Sequence, residues 1–101
     1  MSNFVDITVS LQSTYNTGNF GNVKPEVSIT KKVDVAKLSE EYTDLLECAE
    51  AMFAIQTLSL INEVMSANGD VPRSIGVYVK ALEDNTERML QTIEDYQEKY
   101  K

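Results

Sequence analysis

The sequence predicts an α+β fold, in which an N-terminal β-hairpin packs on a long antiparallel helical hairpin in the order ββαα. Two observations predict it. Polar and apolar residues alternate within residues 1–35, as in half-buried strands. From residue 38 onward the apolar residues recur every three or four positions, as in helices. A chain of 101 residues has the size of one domain, here divided into the hairpin, a first helix over 38–68 and a second helix over 71–100.

The hairpin is predicted from two alternating segments that flank a loop rich in Asn and Gly, residues 15–24. The first segment places its apolar residues on one face: Val5, Ile7, Val9 and Leu11. The second segment, Val23–Val35, has the same alternation, but Pro25 and Lys31 interrupt its apolar face. Pro25 cannot donate a ladder hydrogen bond, which favours an edge or a bulge. We interpret Lys31 as a charge that protects a strand edge.

The predicted N-cap of the first helix is Ser39, which is followed by two acidic residues, and the Asn68-Gly69 pair is predicted to end the helix. Its second half is apolar over most of its circumference, which indicates burial from several sides.

The second helix is predicted to begin near Pro72, a residue suited to a first helical turn. Its spacing then alternates between four and three at Ile75, Val79, Leu82, Thr86, Met89, Ile93, Tyr96 and Tyr100. Residues 75–79 also alternate like a strand, and Gly76 weakens a helix there, so a short third strand stays open as an alternative.

A two-stranded hairpin is too small to cover every apolar face of these helices. Leaving apolar area in water costs roughly 25 cal/mol per Å², so the sequence predicts self-association through a helical bundle, as a homodimer or a larger oligomer. The predicted interface consists of Phe53, Leu60, Leu82, Met89, Ile93 and Tyr96.

The net charge of −7 is unevenly distributed. Residues 1–37 carry four lysines against three acidic residues, whereas residues 38–101 carry thirteen acidic residues against five basic ones. Duplex DNA is bound through clustered cations, so we expect no duplex DNA partner. The longest apolar run, Ala51–Ile55, is far shorter than the ~20 residues of a membrane span; we therefore expect no membrane partner. The single cysteine and the lack of a signal-peptide pattern favour a cytoplasmic setting.

The residue types for catalysis are largely missing. The chain contains no His, which excludes a His-based triad and a His-ligated metal site. Cys48 lies in an apolar helical segment, where an inert buried thiol is expected, and no phosphate-binding glycine motif is present. We therefore expect no enzymatic activity, no cofactor and no metal.

Two segments are candidates for binding a partner. Glu40, Asp44 and Glu47 lie on one ridge of the first helix, which is either a solvated outer face or an electronegative surface for a basic partner; a carboxylate metal site is a third, weaker interpretation. In the loop, Tyr15, Asn19 and Phe20 are candidate contact residues, although both rings could instead close the end of the core.

An alternative function uses the same rings. Single-stranded nucleic acids are bound by aromatic rings that stack on bases and by cations that follow the phosphates. The residues that could act in this way are Tyr15, Phe20, Lys24, Lys31 and Lys32. The Asn and Gly residues of the loop have a structural explanation, because Asn16, Gly18, Asn19, Gly21 and Asn22 can adopt positive φ in turns.

The segment Thr14–Ile29, T-Y-N-T-G-N-F-G-N-V-K-P-E-V-S-I, resembles a motif of small bacteriophage and prophage accessory proteins. In those proteins a strand leads into an Asn-x-Gly-Asn-aromatic loop and returns as an alternating strand before an acidic helix. The resemblance covers about the first third of this chain. It implies a virus-encoded accessory or inhibitor protein in the host cytoplasm that binds a host or phage protein or assists DNA metabolism.

Overall fold

The fold is α+β, as the sequence predicts. The computed structural model describes residues 3–18, 21–68 and 72–101. Its strands are β1 (Phe4–Gln12), β2 (Tyr15–Asn16), β3 (Asn22–Val23) and β4 (Glu26–Asp34). β1 pairs antiparallel with β4 in an unbroken register from Phe4 opposite Asp34 to Gln12 opposite Glu26, and β2 pairs with β3 as a short second ladder nearer the loop.

The helical part consists of a short 3-10 helix and three α-helices. These are the 3-10 turn Val35–Lys37, α1 (Leu38–Asn68), α2 (Arg73–Asp84) and α3 (Thr86–Lys99). Residues 75–79 are therefore helical, and the strand alternative for them is wrong. No helix in the described ranges is long and apolar enough to cross a membrane.

The second predicted helix is in fact two helices that meet at Asn85. The Asn85 side chain donates to the carbonyl of Ala81 at 2.8 Å, and the Thr86 hydroxyl donates to the carbonyl of Leu82 at 3.0 Å. Such side chains compete with backbone groups for helical carbonyls, and Asn85 leaves the helical region at φ −109° and ψ 6°. A heptad count follows only the apolar residues and does not detect this break.

The cap at the start of α1 also differs from the prediction. Asp34 caps the preceding 3-10 turn by accepting a hydrogen bond from the Ala36 amide at 2.9 Å. The helix then begins at Leu38, so Ser39 lies in the first turn, where its carbonyl accepts from the Thr43 hydroxyl. α1 ends at Asn68, and Gly69, the rest of the predicted cap, lies outside the described residues.

The odd-numbered residues of the β1–β4 sheet face α1, and the even-numbered residues face outward. Outward-facing Thr8 and Thr30 share a hydrogen bond of 2.8 Å between their hydroxyls, and Ser10 and Ser28 share one of 3.1 Å. Lys31 faces inward with the valines: its long aliphatic stem lies along the apolar face, and its ammonium reaches the rings of Tyr96 and Tyr100. Its interpretation as a charge that protects a strand edge stays a prediction.

The core consists of two clusters strung along α1. We call the first the strand cluster; its buried members are Val9, Leu45 and Ala49, with Ile7, Leu11, Val27, Ile29, Leu46 and Tyr96 around them. We call the second the loop cluster; its buried members are Val23, Ile61, Ile75 and Val79, with Tyr15, Leu58, Leu60, Val64 and Met65 around them. The molecule is accordingly elongated, with dimensions of 57 × 24 × 18 Å.

Candidate functional site

Tyr15, a candidate contact residue, points into the molecule. Its ring meets the ring of Tyr78 edge to face with the centroids 5.2 Å apart, and the two hydroxyls share a hydrogen bond of 3.1 Å. Burial, together with this bond, raises the pKa of Tyr78 to about 12. Tyr15 therefore closes the loop cluster against α2, which is the packing role that the sequence left open.

The tip of the loop is a compact turn. Thr17 is buried, and both its amide and its hydroxyl donate to the carbonyl of Gly21, at 2.9 and 2.8 Å. Gly18 and Gly21 adopt positive φ, whereas no Asn of the described residues does. Asn16 instead accepts a hydrogen bond from the Gly18 amide at 2.7 Å. The positive-φ prediction is thus wrong for Asn16 and for Asn22, a strand residue.

The remaining two loop candidates, Asn19 and Phe20, lie outside the described residues. Gly18 lies beside the start of α2, since a Cβ on it would meet the Cδ of Pro72 at 3.7 Å. The described part of the loop is thus held against the molecule.

Glu40 and Asp44 of the acidic ridge of α1 make contacts within the chain. Lys99 Nζ donates to Glu40 Oε1 at 2.9 Å and to Asp44 Oδ2 at 2.7 Å, and the Tyr100 hydroxyl donates to the same Asp44 oxygen at 2.5 Å. The hydrogen bond from Lys99 and then that from Tyr100 hold the pKa of Asp44 below its ordinary value. The hydrogen bond to Asp44 and then that to Glu40 raise the pKa of Lys99. These residues fix the end of α3 to the start of α1.

Lys31 extends this network to the hairpin. Its Nζ lies 3.1 Å from the centroid of the Tyr100 ring, 5.3 Å from that of Tyr96 and 3.3 Å from Glu41 Oε1. It makes no hydrogen bond within the described residues, so the ion pair and the ring faces hold the charge. We call Lys31, Glu41, Asp44, Lys99 and Tyr100 the charged latch.

Two of the five residues proposed for single-stranded nucleic acid are therefore engaged inside the molecule. Tyr15 packs on Tyr78, and Lys31 belongs to the charged latch. Lys24 and Lys32 are exposed, and Phe20 lies outside the described residues. The described members of the set do not form one exposed surface.

Glu47, the third residue of the acidic ridge, is exposed and has no ion-pair partner among the described residues. It stands at the middle of an open groove between α1 and α3, which we call the α1–α3 groove. One part of the groove lies between Asp44, Glu47, Thr92, Asp95, Tyr96 and Lys99. The adjoining part lies between Glu47, Glu50, Ala51, Ala54, Asn85, Arg88, Met89 and Thr92.

The α1–α3 groove combines an apolar floor with charged walls. Ala51, Ala54 and Met89 form the floor. The walls carry Glu47 and Glu50 from α1 and Asp95 from α3, besides the cations Arg88 and Lys99. Lys99 is already bound by Asp44 and Glu40. Glu47, Glu50 and Asp95 then outnumber the remaining cation, Arg88, so the charge left to act on a partner is acidic.

The six residues of the predicted oligomer interface lie in different surroundings in the structure. Leu82 is buried within the chain, Met89 lines the groove and Tyr96 packs on the strand cluster. Ile93 is half-buried on α3, and Phe53 and Leu60 are half-buried on α1. Leu82 and Tyr96 of the predicted interface are thus covered within the same chain.

The surroundings of Cys48 do not favour a reactive thiol. The thiol is buried, its burial raises its pKa, and its Sγ faces Met52 Sδ at 4.0 Å. Among the described residues no three Cys, Asp or Glu side chains converge as a metal site would require.

No protein-family model, curated protein or solved structure matches the chain. The geometry of the molecule is therefore the basis for its functional interpretation.

Sequence reasoning missed the charged latch. The sequence pattern places Tyr100 at the end of the four-and-three spacing of the second helix and indicates no role for Lys99. Their partners Glu40 and Asp44 are 59 and 55 residues away from Lys99, and spacing alone gives no signal for such a pairing.

Proposed function

We propose that the protein is a non-enzymatic binding protein that holds a basic segment of a partner protein in the α1–α3 groove. The observation that carries the proposal is Glu47, an exposed carboxylate over an apolar floor with Glu50 and Asp95 on either side. A segment with Lys or Arg flanking an apolar residue would pair with the walls and cover the floor.

The overall charge supports this choice of partner. Residues 38–101, which form all three helices, carry eight more acidic than basic residues. Such a field attracts cationic surfaces, repels nucleic acid and speeds association at low salt. Host or phage proteins with a basic surface are the partners that a phage accessory or inhibitor protein of this charge would bind. Asn19 and Phe20 of the loop stay in the proposal as a second contact.

Affinity capture from host-cell extract tests the proposal. The bait protein is compared with a variant carrying Glu47→Gln, Glu50→Gln and Asp95→Asn, which removes the groove charges and leaves Glu40 and Asp44 in place. Glu63→Gln is the control, because Glu63 is exposed on another face of α1.

We expect a set of basic proteins that the wild type and the control retain, that raised salt elutes and that the triple variant loses. Recovery of the same proteins by the triple variant would overturn the proposal.

The alternative of single-stranded nucleic acid binding would depend on Phe20 together with Lys24 and Lys32. It is tested separately by the mobility of labelled single strands at low salt. The expected result is no shift at micromolar protein. A shift that Phe20→Ala and Lys32→Ala both abolish would favour the alternative.

A further inference from the structure

The outer edge of β1 has free backbone groups along its whole length. At the two ends of the β1–β4 ladder, the Val35 amide donates to Asn3 and the Ser13 amide donates to Pro25, at 2.9 and 3.3 Å. Hydrogen-bonded and non-hydrogen-bonded pairs alternate in an antiparallel ladder, so these odd-numbered pairs fix the pattern. The residues that turn their N–H and C=O groups away from β4 are Phe4, Asp6, Thr8, Ser10 and Gln12. No described residue pairs with those groups.

The opposite edge, on β4, is better protected. The Glu26 amide is capped by Gln56 Oε1 at 2.8 Å, and Pro25 directly precedes the strand. Three of the residues that face outward on β4 are ionised: Glu26, Lys32 and Asp34. β1 has neither Pro nor Lys, and its one ionisable residue is Asp6. Charges and prolines are the usual protection of strand edges against pairing, so β1 is the edge that is open to it.

β1 is complementary to a second copy of itself. Antiparallel pairing centred on Thr8 brings the free groups of the two strands together in about ten backbone hydrogen bonds. This register sets Asp6 opposite Ser10 of the second copy, so the two carboxylates do not meet. On the inner face it sets Val5 opposite Leu11 and Ile7 opposite Val9, which continues the apolar surface of the sheet.

The flank of α1 on the same side is apolar and only partly covered. At about 100° per residue, Leu38, Tyr42 and Phe53 fall within an arc of roughly 60°, and none of the six acidic residues of α1 lies in that arc. Tyr42 is 46% exposed and Leu38 is 36% exposed. Asp44, which binds α3 through Lys99, lies on the opposite side of the helix. This flank is therefore free of α3.

We infer that two copies of the chain associate through β1 into a four-stranded antiparallel sheet, with the two α1 helices side by side beneath it. Strands are about 4.8 Å apart, so the two helices lie under strand pairs roughly 10 Å apart, which is the distance at which helices pack. Phe53 then belongs to the interface, whereas Leu60, which packs in the loop cluster, and Leu82 and Met89 do not. The α1–α3 grooves stay open on the outer sides, so this dimer is independent of the proposed function.

A matched pair of proline variants tests the inference. Thr8 and Thr30 lie opposite each other and share one hydroxyl hydrogen bond, so Thr8→Pro and Thr30→Pro lose the same contact. Each proline removes an amide that faces away from the partner strand. Sedimentation equilibrium should give twice the 11.3 kDa chain mass for the wild type and for Thr30→Pro, and one chain mass for Thr8→Pro.

A second pair of variants covers the case in which a proline unfolds the hairpin. Tyr42→Glu charges the inferred interface, whereas Leu90→Glu charges an exposed residue of α3 that is 52% accessible. We expect at least a tenfold weaker dimer for Tyr42→Glu and no change for Leu90→Glu.

Amide hydrogen exchange locates the contact directly. The amides of Asp6, Thr8 and Ser10 should become at least tenfold more protected as the protein concentration rises, whereas those of Ser28 and Thr30 should not. A wild type that stays monomeric overturns the inference. A dimer that forms without protection of β1 also overturns the inference, because that result points to an interface between the helices. A dimer that is abolished by Thr30→Pro but not by Thr8→Pro overturns it as well.

Discussion

The two ends of the molecule are closed by different chemistry. At the loop end, Tyr15 and Tyr78 meet through neutral rings and hydroxyls over the loop cluster. At the other end, the charged latch joins β4, α1 and α3 next to the strand cluster. Neutral packing is insensitive to salt and to acidic pH, whereas ion pairs that contain carboxylates respond to both. The two ends should therefore respond differently to solution conditions although one helix, α1, supports both.

The largest effects on the free energy of unfolding are expected in the strand cluster and the loop cluster, because both ends of the molecule have a buried apolar cluster. Leu45 and Ile61 are both fully buried, and truncation of such residues to Ala costs about 2–5 kcal/mol. Leu45→Ala and Ile61→Ala should lower the free energy of unfolding by similar amounts, in one cooperative transition, because α1 connects the clusters. Urea unfolding followed by circular dichroism measures this. Two separate transitions in either variant would show that the clusters fold independently.

The next largest loss of unfolding free energy is expected in the charged latch. Lys31→Met keeps the aliphatic stem but removes the charge from the Tyr100 ring and leaves Glu41, whose side chain is 13% exposed, without its cation. We expect a loss of about 1–3 kcal/mol in the free energy of unfolding. Lys32→Met is the control, because the exposed Lys32 side chain should contribute less than about 0.5 kcal/mol. Equal losses in the two variants would mean that the latch contributes nothing.

A smaller change is expected at Asp44. Asp44→Asn should cost about 1 kcal/mol and should reduce the salt dependence of unfolding. The wild-type pKa of Asp44 is lowered, so its contribution is present above the ordinary value of 3.8 and is lost as pH falls below it. The variant should lack that part of the acid destabilisation. Urea midpoints between neutral and acidic pH measure it, and unchanged acid sensitivity would contradict the role of the latch.

The smallest effect is expected at the neutral end. Tyr78→Phe removes one hydroxyl and should cost about 0.5 kcal/mol, the low end for a neutral hydrogen bond, with no change in salt dependence. The pKa of Tyr78 is raised from 10.0 to about 12, so its contribution is complete below 10 and is lost as pH rises from 10 towards 12. Thermal unfolding in that range should show less alkaline destabilisation in the variant. A salt-dependent effect of Tyr78→Phe would remove the distinction between the ends.

The strands and helices could be predicted from local sequence patterns. Alternation at Val5, Ile7, Val9 and Leu11 requires a half-buried strand, because a strand has a period of two. The bounds 38–68 for the first helix agree with the structure, since a long helical spacing ended by Asn-Gly depends only on neighbouring residues. The break at Asn85 was missed because it depends on side-chain hydrogen bonds that a heptad count ignores.

The candidate site was decided by long-range contacts. The sequence identified Glu40, Asp44 and Glu47 as one ridge, since residues three and four apart share a helix face. Only the tertiary structure shows that Lys99 occupies the first two and leaves Glu47 over a groove.

The sequence by itself determined the periods, the fold class and the acidic character of the helices, because these follow from residues that are neighbours along the chain. The tertiary structure decided which of the residues that look alike in the sequence make contacts inside the molecule. It placed Tyr15 and Lys31 inside, and it left the edge of β1 open. The physical reason is that a contact between Lys31 and Tyr100 depends on how α3 folds back beside α1, and no spacing along the chain contains that information.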